Sequence, residues 1–173
     1  MASIDDILGQ IRLPERIYEL CIRADLRAEW EQAEKALAAA EEESRNSLAG
    51  LSAAGKAALK RVRELEAEMT EHTIPIMLRA LPHKALSDLQ AAHPPREGKD
   101  QGSWNVETFG VGLLAASAVD PAMSEEQAGQ LVDRLTFGQW DDLFNTMWAL
   151  NRSAVDVPKS RRASEALRST KKR

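Results

Sequence analysis

Two stretches with the same seven-residue period most constrain what this chain can fold into. In the first, Leu26, Trp30, Ala33, Leu37 and Ala40 step by 4, 3, 4 and 3 residues. In the second, Ala58, Val62, Leu65 and Met69 step by 4, 3 and 4. That spacing puts the apolar side chains on one stripe of a helix, and such a stripe needs a facing partner. Gly50 sits between the two as a breaker, in a turn over residues 46–52. An antiparallel hairpin of helices over residues 25–47 and 52–71 is therefore expected. Alanines at 33, 36, 40 and 58 suit close approach but make the seam thin. The arm is expected to lean on the body or on a second subunit.

Residues 16–22 (RIYELCI) and 73–81 (TIPIMLRAL) flank this arm and read as strands. A hairpin returns the chain to its origin, so the two should pair antiparallel at the base of the arm. Pro75 has no N–H to donate, which limits its strand to an edge or a strand start. Upstream, Ser3 can cap a short helix reaching Ile11, with Ile4, Leu8 and Ile11 on one face. Downstream, the stretch 78–98 joins arm to bundle. Pro82 opens a short helix (HKALSDLQAA), Leu86 and Leu89 face inward, and Pro94-Pro95 stops it. The polar loop 96–103 is expected to be mobile.

Three further helices are expected: one capped by Asn105 and reaching Val119, one from the Ser124 capping box to Leu135, and one from the Thr136 capping box to Leu150. Gly110 and Gly112 lower the propensity of the first but allow close packing. The expected class is mainly α: a long antiparallel helical hairpin, a small two-stranded β element and a C-terminal helical bundle. Residues 1–104 would form the arm and junction helix, and 105–152 the bundle on the same core. Residues 153–173 would form a basic, disordered tail.

The charge is unevenly placed. From Lys159 to Arg173 seven bases face one acid, Glu165, a net of +6; with −4 overall, the rest of the chain carries −10. An acidic body argues against a dedicated nucleic-acid binder, which needs a basic face on its folded part. Cys21 is the single cysteine, so no internal disulfide forms. No run is long and apolar enough to span a membrane, and the first residues lack the pattern of a signal peptide. A cytoplasmic location is expected.

Reactive chemistry finds little support. His72, His83 and His93 fall on three different elements, without zinc spacing. Cys21 sits in an apolar strand, with no histidine near it in sequence, and reads as a small buried residue. Asp141 and Asp142 point apart on a helix. Gly110-Val111-Gly112 lies inside a helical pattern and is too short for a phosphate loop. No cofactor or metal is expected, and no enzyme. What remains is aromatic: Trp104, Phe109, Phe137, Trp140, Phe144 and Trp148 crowd the C-terminal half. Most should be core. Trp148 lies one position off the stripe of Trp140, Leu143, Phe144, Met147 and Leu150, and Trp104 adjoins the polar loop. Either suits an exposed anchor for a partner. The candidate partner-binding residues are Trp104, Trp140, Phe144 and Trp148, with Arg161 and Arg162 of the tail.

Four phrases carry a resemblance: LPERIYELCIRADLRAEWE, MLRALPHKALSDLQAAHPPREG, WNVETFGVGLLAASAVDP and LNRSAVDVPKSRRAS. In order and spacing they make the chain resemble the short tail assembly chaperones of actinobacterial siphophages and prophages. The similarity includes the Asn-x-Glu-x-Phe pattern at Asn105, Glu107 and Phe109; Lys159 departs from it, where an apolar residue is expected. The resemblance implies a protein that binds the tape measure protein, keeps that long helical chain soluble and recruits tail tube subunits. It also implies absence from the finished virion and, often, a longer frameshifted form. Two other readings stay open. One is a minor head–tail or tail component that self-associates through the arm; the other is a small DNA-associated regulator using the basic tail.

Overall fold

The computed structural model describes residues 3–45 and 50–154. Within them the chain runs as α1 (Ile4–Gln10), β1 (Glu15–Cys21), α2 (Leu26–Arg45), α3 (Ala53–Glu71), β2 (Thr73–Arg79) and α4 (His83–Ala92). It continues as α5 (Phe109–Ser117), β3 (Ala118–Asp120), α6 (Glu125–Val132) and α7 (Phe137–Arg152). The class is mainly α, as expected.

The helical hairpin forms as the heptads require. Leu26, Leu37 and Ala40 of α2 are buried against Val62 and Leu65 of α3. Trp30 and Ala33 are half-buried at the seam. Gly55 adds a contact that the heptads do not reveal: a Cβ there would stand 2.8 Å from the Ala40 Cβ. Glycine lets the two backbones close at the distal end of the arm. Polar pairs flank the seam, with Arg61 2.6 Å from Glu29, Arg23 3.3 Å from Glu68, and the Trp30 indole N–H donating to Glu66. All lie at the solvent-accessible rim of the seam and add little to stability. Gly50 takes the positive φ of 72° that a turn residue needs.

The arm is closed at its base by β1 and β2, antiparallel, with Glu15 opposite Arg79 and Cys21 opposite Thr73. Two bonds extend the ladder past its ends, Ala80 N–H to the Pro14 carbonyl and Ile22 N–H to the His72 carbonyl. The expected two-stranded element is in fact a three-stranded sheet of order β1-β2-β3. Ala118 stands opposite Leu78 and Asp120 opposite Met77, with an irregularity between. The helix expected to reach Val119 therefore stops at Ser117 and turns into β3. Three residues are too few to show an alternating pattern, so the sequence reads them as more helix. β2 is central rather than an edge, yet Pro75 causes no conflict. β3 pairs only with Met77 and Leu78, so the Pro75 portion of β2 has a neighbour on one side alone.

Leu20, Ile76 and Leu78 on the inner sheet face meet Phe109, Leu113 and Leu114 of α5 and Leu143, Met147 and Leu150 of α7. α5 is apolar on most sides and fills the middle of the body. Its start differs from expectation: Asn105 accepts from the Glu107 N–H in a turn, and the helix proper begins at Phe109. The Ser124 and Thr136 capping boxes form with both reciprocal bonds, although α6 ends at Val132, short of Leu135. Asn151 ties the end of α7 to the segment that leaves β2. Its side-chain oxygen accepts from the Leu81 N–H at 2.7 Å, and its amide donates to the Met147 carbonyl at 2.9 Å. Cys21 is half-buried rather than buried, with its thiol 3.8 Å from the Met69 carbonyl.

Candidate functional site

The groove between α4 and α7 brings together the two tryptophans that the sequence offers as anchors. Trp104 ends the polar loop and Trp148 lies in the fourth turn of α7, 44 positions away in sequence; their rings stand 4.7 Å apart. The groove holds about 510 Å³. Leu86 and the two indoles supply its apolar surface, and His83, Ser87, Gln90, Ser103 and Arg152 its polar rim. Leu86 is half-buried at its edge instead of deep in the core. The Arg152 guanidinium lies 5.3 Å from the Trp148 ring centre, where it is attracted to the π face.

The aromatic side chains beneath the groove explain its shape. Phe109 is fully buried; Trp104 tilts on it at 4.8 Å and Trp148 meets it edge-on at 6.0 Å. Phe144 stacks with Trp148 at 6.3 Å, and Trp140 tilts against Phe144 at 5.9 Å. Trp140 and Phe144 are half-buried and do not line the groove. They close over Gly110, where a Cβ would stand 2.6 Å from Trp140 Cζ2 and 3.3 Å from Phe144 Cδ2. Of the predicted residues, then, Trp104 and Trp148 form the surface, and Trp140 and Phe144 support it. Arg161 and Arg162 lie outside the described residues. Phe137, expected to be core with the others, is 82% exposed, because it occupies the first turn of α7 on the side away from the body.

Loop 96–103 is anchored rather than simply loose. Arg96 pairs with Asp100 through two side-chain bonds of 3.0 Å and with Glu107 at 2.7 Å. Asp100 also accepts the Arg96 N–H at 2.7 Å and the Val106 N–H. The Asp100 side chain has no exposed surface. The guanidinium and these two amides hold its carboxyl well below the usual carboxylate range. This clasp brings the chain back to α4: the Asn105 N–H donates to the His93 carbonyl at 2.8 Å, which sets the position of Trp104. His93 Nδ1 lies 2.9 Å from the Thr108 hydroxyl, and its Nε2 3.6 Å from Glu125. Gly112 makes room for this ring, since a Cβ there would stand 2.8 Å from Nε2. Arg96 and Asp100 escaped sequence reasoning, and His93 entered it only as a rejected metal ligand. The spacing of Arg96 and Asp100, four apart inside a loop, was the one available signal.

Tyr18 and Gln139 join the sheet to α7. The Gln139 amide donates to the Cys21 carbonyl at 3.1 Å, and the Tyr18 hydroxyl reaches the Gln139 carbonyl at 3.5 Å. Among the described residues no three His, Cys, Asp or Glu side chains are grouped to hold a metal ion, and no helix is long and apolar enough to cross a membrane.

What the arrangement offers chemically is contact: a bowl of two indoles and a leucine, with a cation at its rim and hydrogen-bonding groups on the opposite wall. No family model, no curated protein and no solved structure matches this chain.

Proposed function

We propose that the protein is a binding protein without catalytic activity, a tail assembly chaperone that holds the tape measure protein of a siphophage or prophage in the host cytoplasm. The observation that carries this reading is the paired Trp104 and Trp148 over an open groove. A long helical client exposes apolar side chains that need cover before tube subunits enclose them. Two indoles present large, rigid apolar area at small entropic cost, which is why tryptophan dominates binding hot spots. The groove is shallow enough to accept one or two side chains of many client segments, as a chaperone requires. The acidic body keeps the complex soluble. The phrases that resemble the chaperone family contain Trp104, Arg96 and Asn151.

The test is co-expression with the long, helix-rich product of the adjacent reading frame. The wild-type protein should keep that product in the soluble fraction and co-purify with it. Trp104→Ala with Trp148→Ala should lose both while retaining the circular dichroism spectrum. Soluble client in the presence of the double variant would refute the role of the groove. Detection of the protein in purified virions would favour a structural tail component over a chaperone.

A further inference from the structure

Helix α1 has the caps of a finished helix and, among the described residues, no partner that buries its apolar face. Ser3 accepts the Asp6 N–H and Asp6 returns a bond to the Ser3 N–H, a complete capping box. At the other end Arg12 donates to the Gly9 and Ile11 carbonyls at 3.0 and 2.9 Å. Yet no residue of α1 is buried: Ile4, Ile7 and Leu8, with Ile11 at the C-cap, are 49–65% exposed. Their spacing, i, i+3, i+4, i+7, makes one continuous stripe, and Asp5 and Asp6 lie beside it. Local caps thus hold in shape a helix whose apolar face still needs a surface.

A surface of matching chemistry lies on the outer side of α3. A groove of about 420 Å³ there is lined by Lys56, Leu59, Lys60, Arg63, Glu64 and Ala67. It presents three cations to one acid, and the long stems of the lysines and arginine extend its apolar floor. We propose that α1 docks into this groove on a second copy of the chain, with Asp5 and Asp6 facing the Lys56, Lys60 and Arg63 side of the groove.

The chain's own groove is out of reach. α1 joins the sheet at the Glu15–Arg79 end, whereas the arm leaves it at the Cys21–Thr73 end. The arm carries its own buried seam apart from the body's core, so it extends away from the body. The strand contributes on the order of 20 Å of separation and the length of α3 back to Lys56 roughly 20 Å more. Four linker residues span at most about 14 Å. Two chains laid side by side in opposite directions place each α1 on the other's arm. The contact is then made twice about a twofold axis and closes as a dimer. It uses neither Trp104 nor Trp148, so it leaves the α4–α7 groove open.

Sedimentation of the full chain over a range of concentrations tests this. A concentration-dependent dimer is expected, weakened by added salt. Ile7→Asp with Leu8→Asp should give a monomer that melts as the wild type does at concentrations too low for the dimer, because neither side chain is buried within its own chain. Charge reversal gives the sharper arm. Asp5→Lys/Asp6→Lys alone and Lys56→Glu/Lys60→Glu/Arg63→Glu alone should each be monomeric. Mixed together they should form a heterodimer, since both contacts become attractive again. A wild-type chain that stays monomeric overturns the proposal, as does a dimer untouched by the α1 changes or a mixed pair that fails to associate. A monomer whose α1 amides resist hydrogen exchange would put α1 on its own chain and also overturn it.

Discussion

Substituting Gly110 by alanine sets two effects of opposite sign against each other. Gly110 lies in the second position of α5, and by helix propensity alone alanine should stabilise by roughly 0.8–1 kcal/mol. The structure predicts the reverse. The new methyl would stand 2.6 Å from Trp140 Cζ2, 3.1 Å from Cη2 and 3.3 Å from Phe144 Cδ2. The Trp140 ring is half-buried and leans on Phe144, so its retreat disturbs a second ring. Overpacking of this kind costs roughly 1–3 kcal/mol, and with several contacts involved we expect the upper part of that range. The net loss is then about 1–2 kcal/mol, which for a domain of this size lowers the melting temperature by roughly 3–6 °C. Calorimetry or circular dichroism measures the shift, and tryptophan emission should move with it. Trp140→Leu removes both of the nearest ring atoms, so adding Gly110→Ala in that background should cost much less. A rise in melting temperature on Gly110→Ala in the otherwise wild-type protein would refute the reasoning, because propensity would then have outweighed contact.

Tyr18, the single tyrosine, is pushed up to about 12 from its ordinary 10.0 by burial and by the Asp142 carboxylate beside it. The folded state therefore favours the neutral phenol, so this contribution to stability is present below pH 10 and is lost as pH rises through about 12; ultraviolet titration of the phenolate should show the late transition, and one at the ordinary value would contradict it. Asp100 is shifted the other way, so its contribution holds above 3.8 and fades as pH falls toward the lowered folded value; amide shifts of Arg96 and Val106 should stay constant down to that range, and Asp100→Ala should red-shift Trp104 emission. Leu65, with no exposed surface in the hairpin seam, should cost about 2–4 kcal/mol as alanine, read as lost hydrogen-exchange protection in α2 and α3 ahead of α5 and α7. Phe137→Ser should leave the melting temperature nearly unchanged, since that ring is 82% exposed.

Local chemistry in the chain determined most of its helices. The heptads at Leu26–Ala40 and Ala58–Met69 specify the arm, because periodicity declares a buried stripe whatever lies beyond it. The Ser3 cap and the boxes at Ser124 and Thr136 mark helix starts through bonds that reach only three residues. Pro82 and Pro94 bracket α4 by the same kind of short-range rule. The heavy aromatic content of the C-terminal half was equally plain. Which of those rings line an open groove was not. Trp104 and Trp148 meet only because the Arg96–Asp100 clasp and the Asn105–His93 bond return the loop to α4. Trp140 and Phe144 withdraw because Gly110 admits them. β3 exists because β2 offers Leu78 and Met77 an open side, not because Ala118–Asp120 prefer a strand. Each of these depends on contacts between residues far apart in sequence. Period and capping carry no information about such contacts, so only the packed molecule decides them.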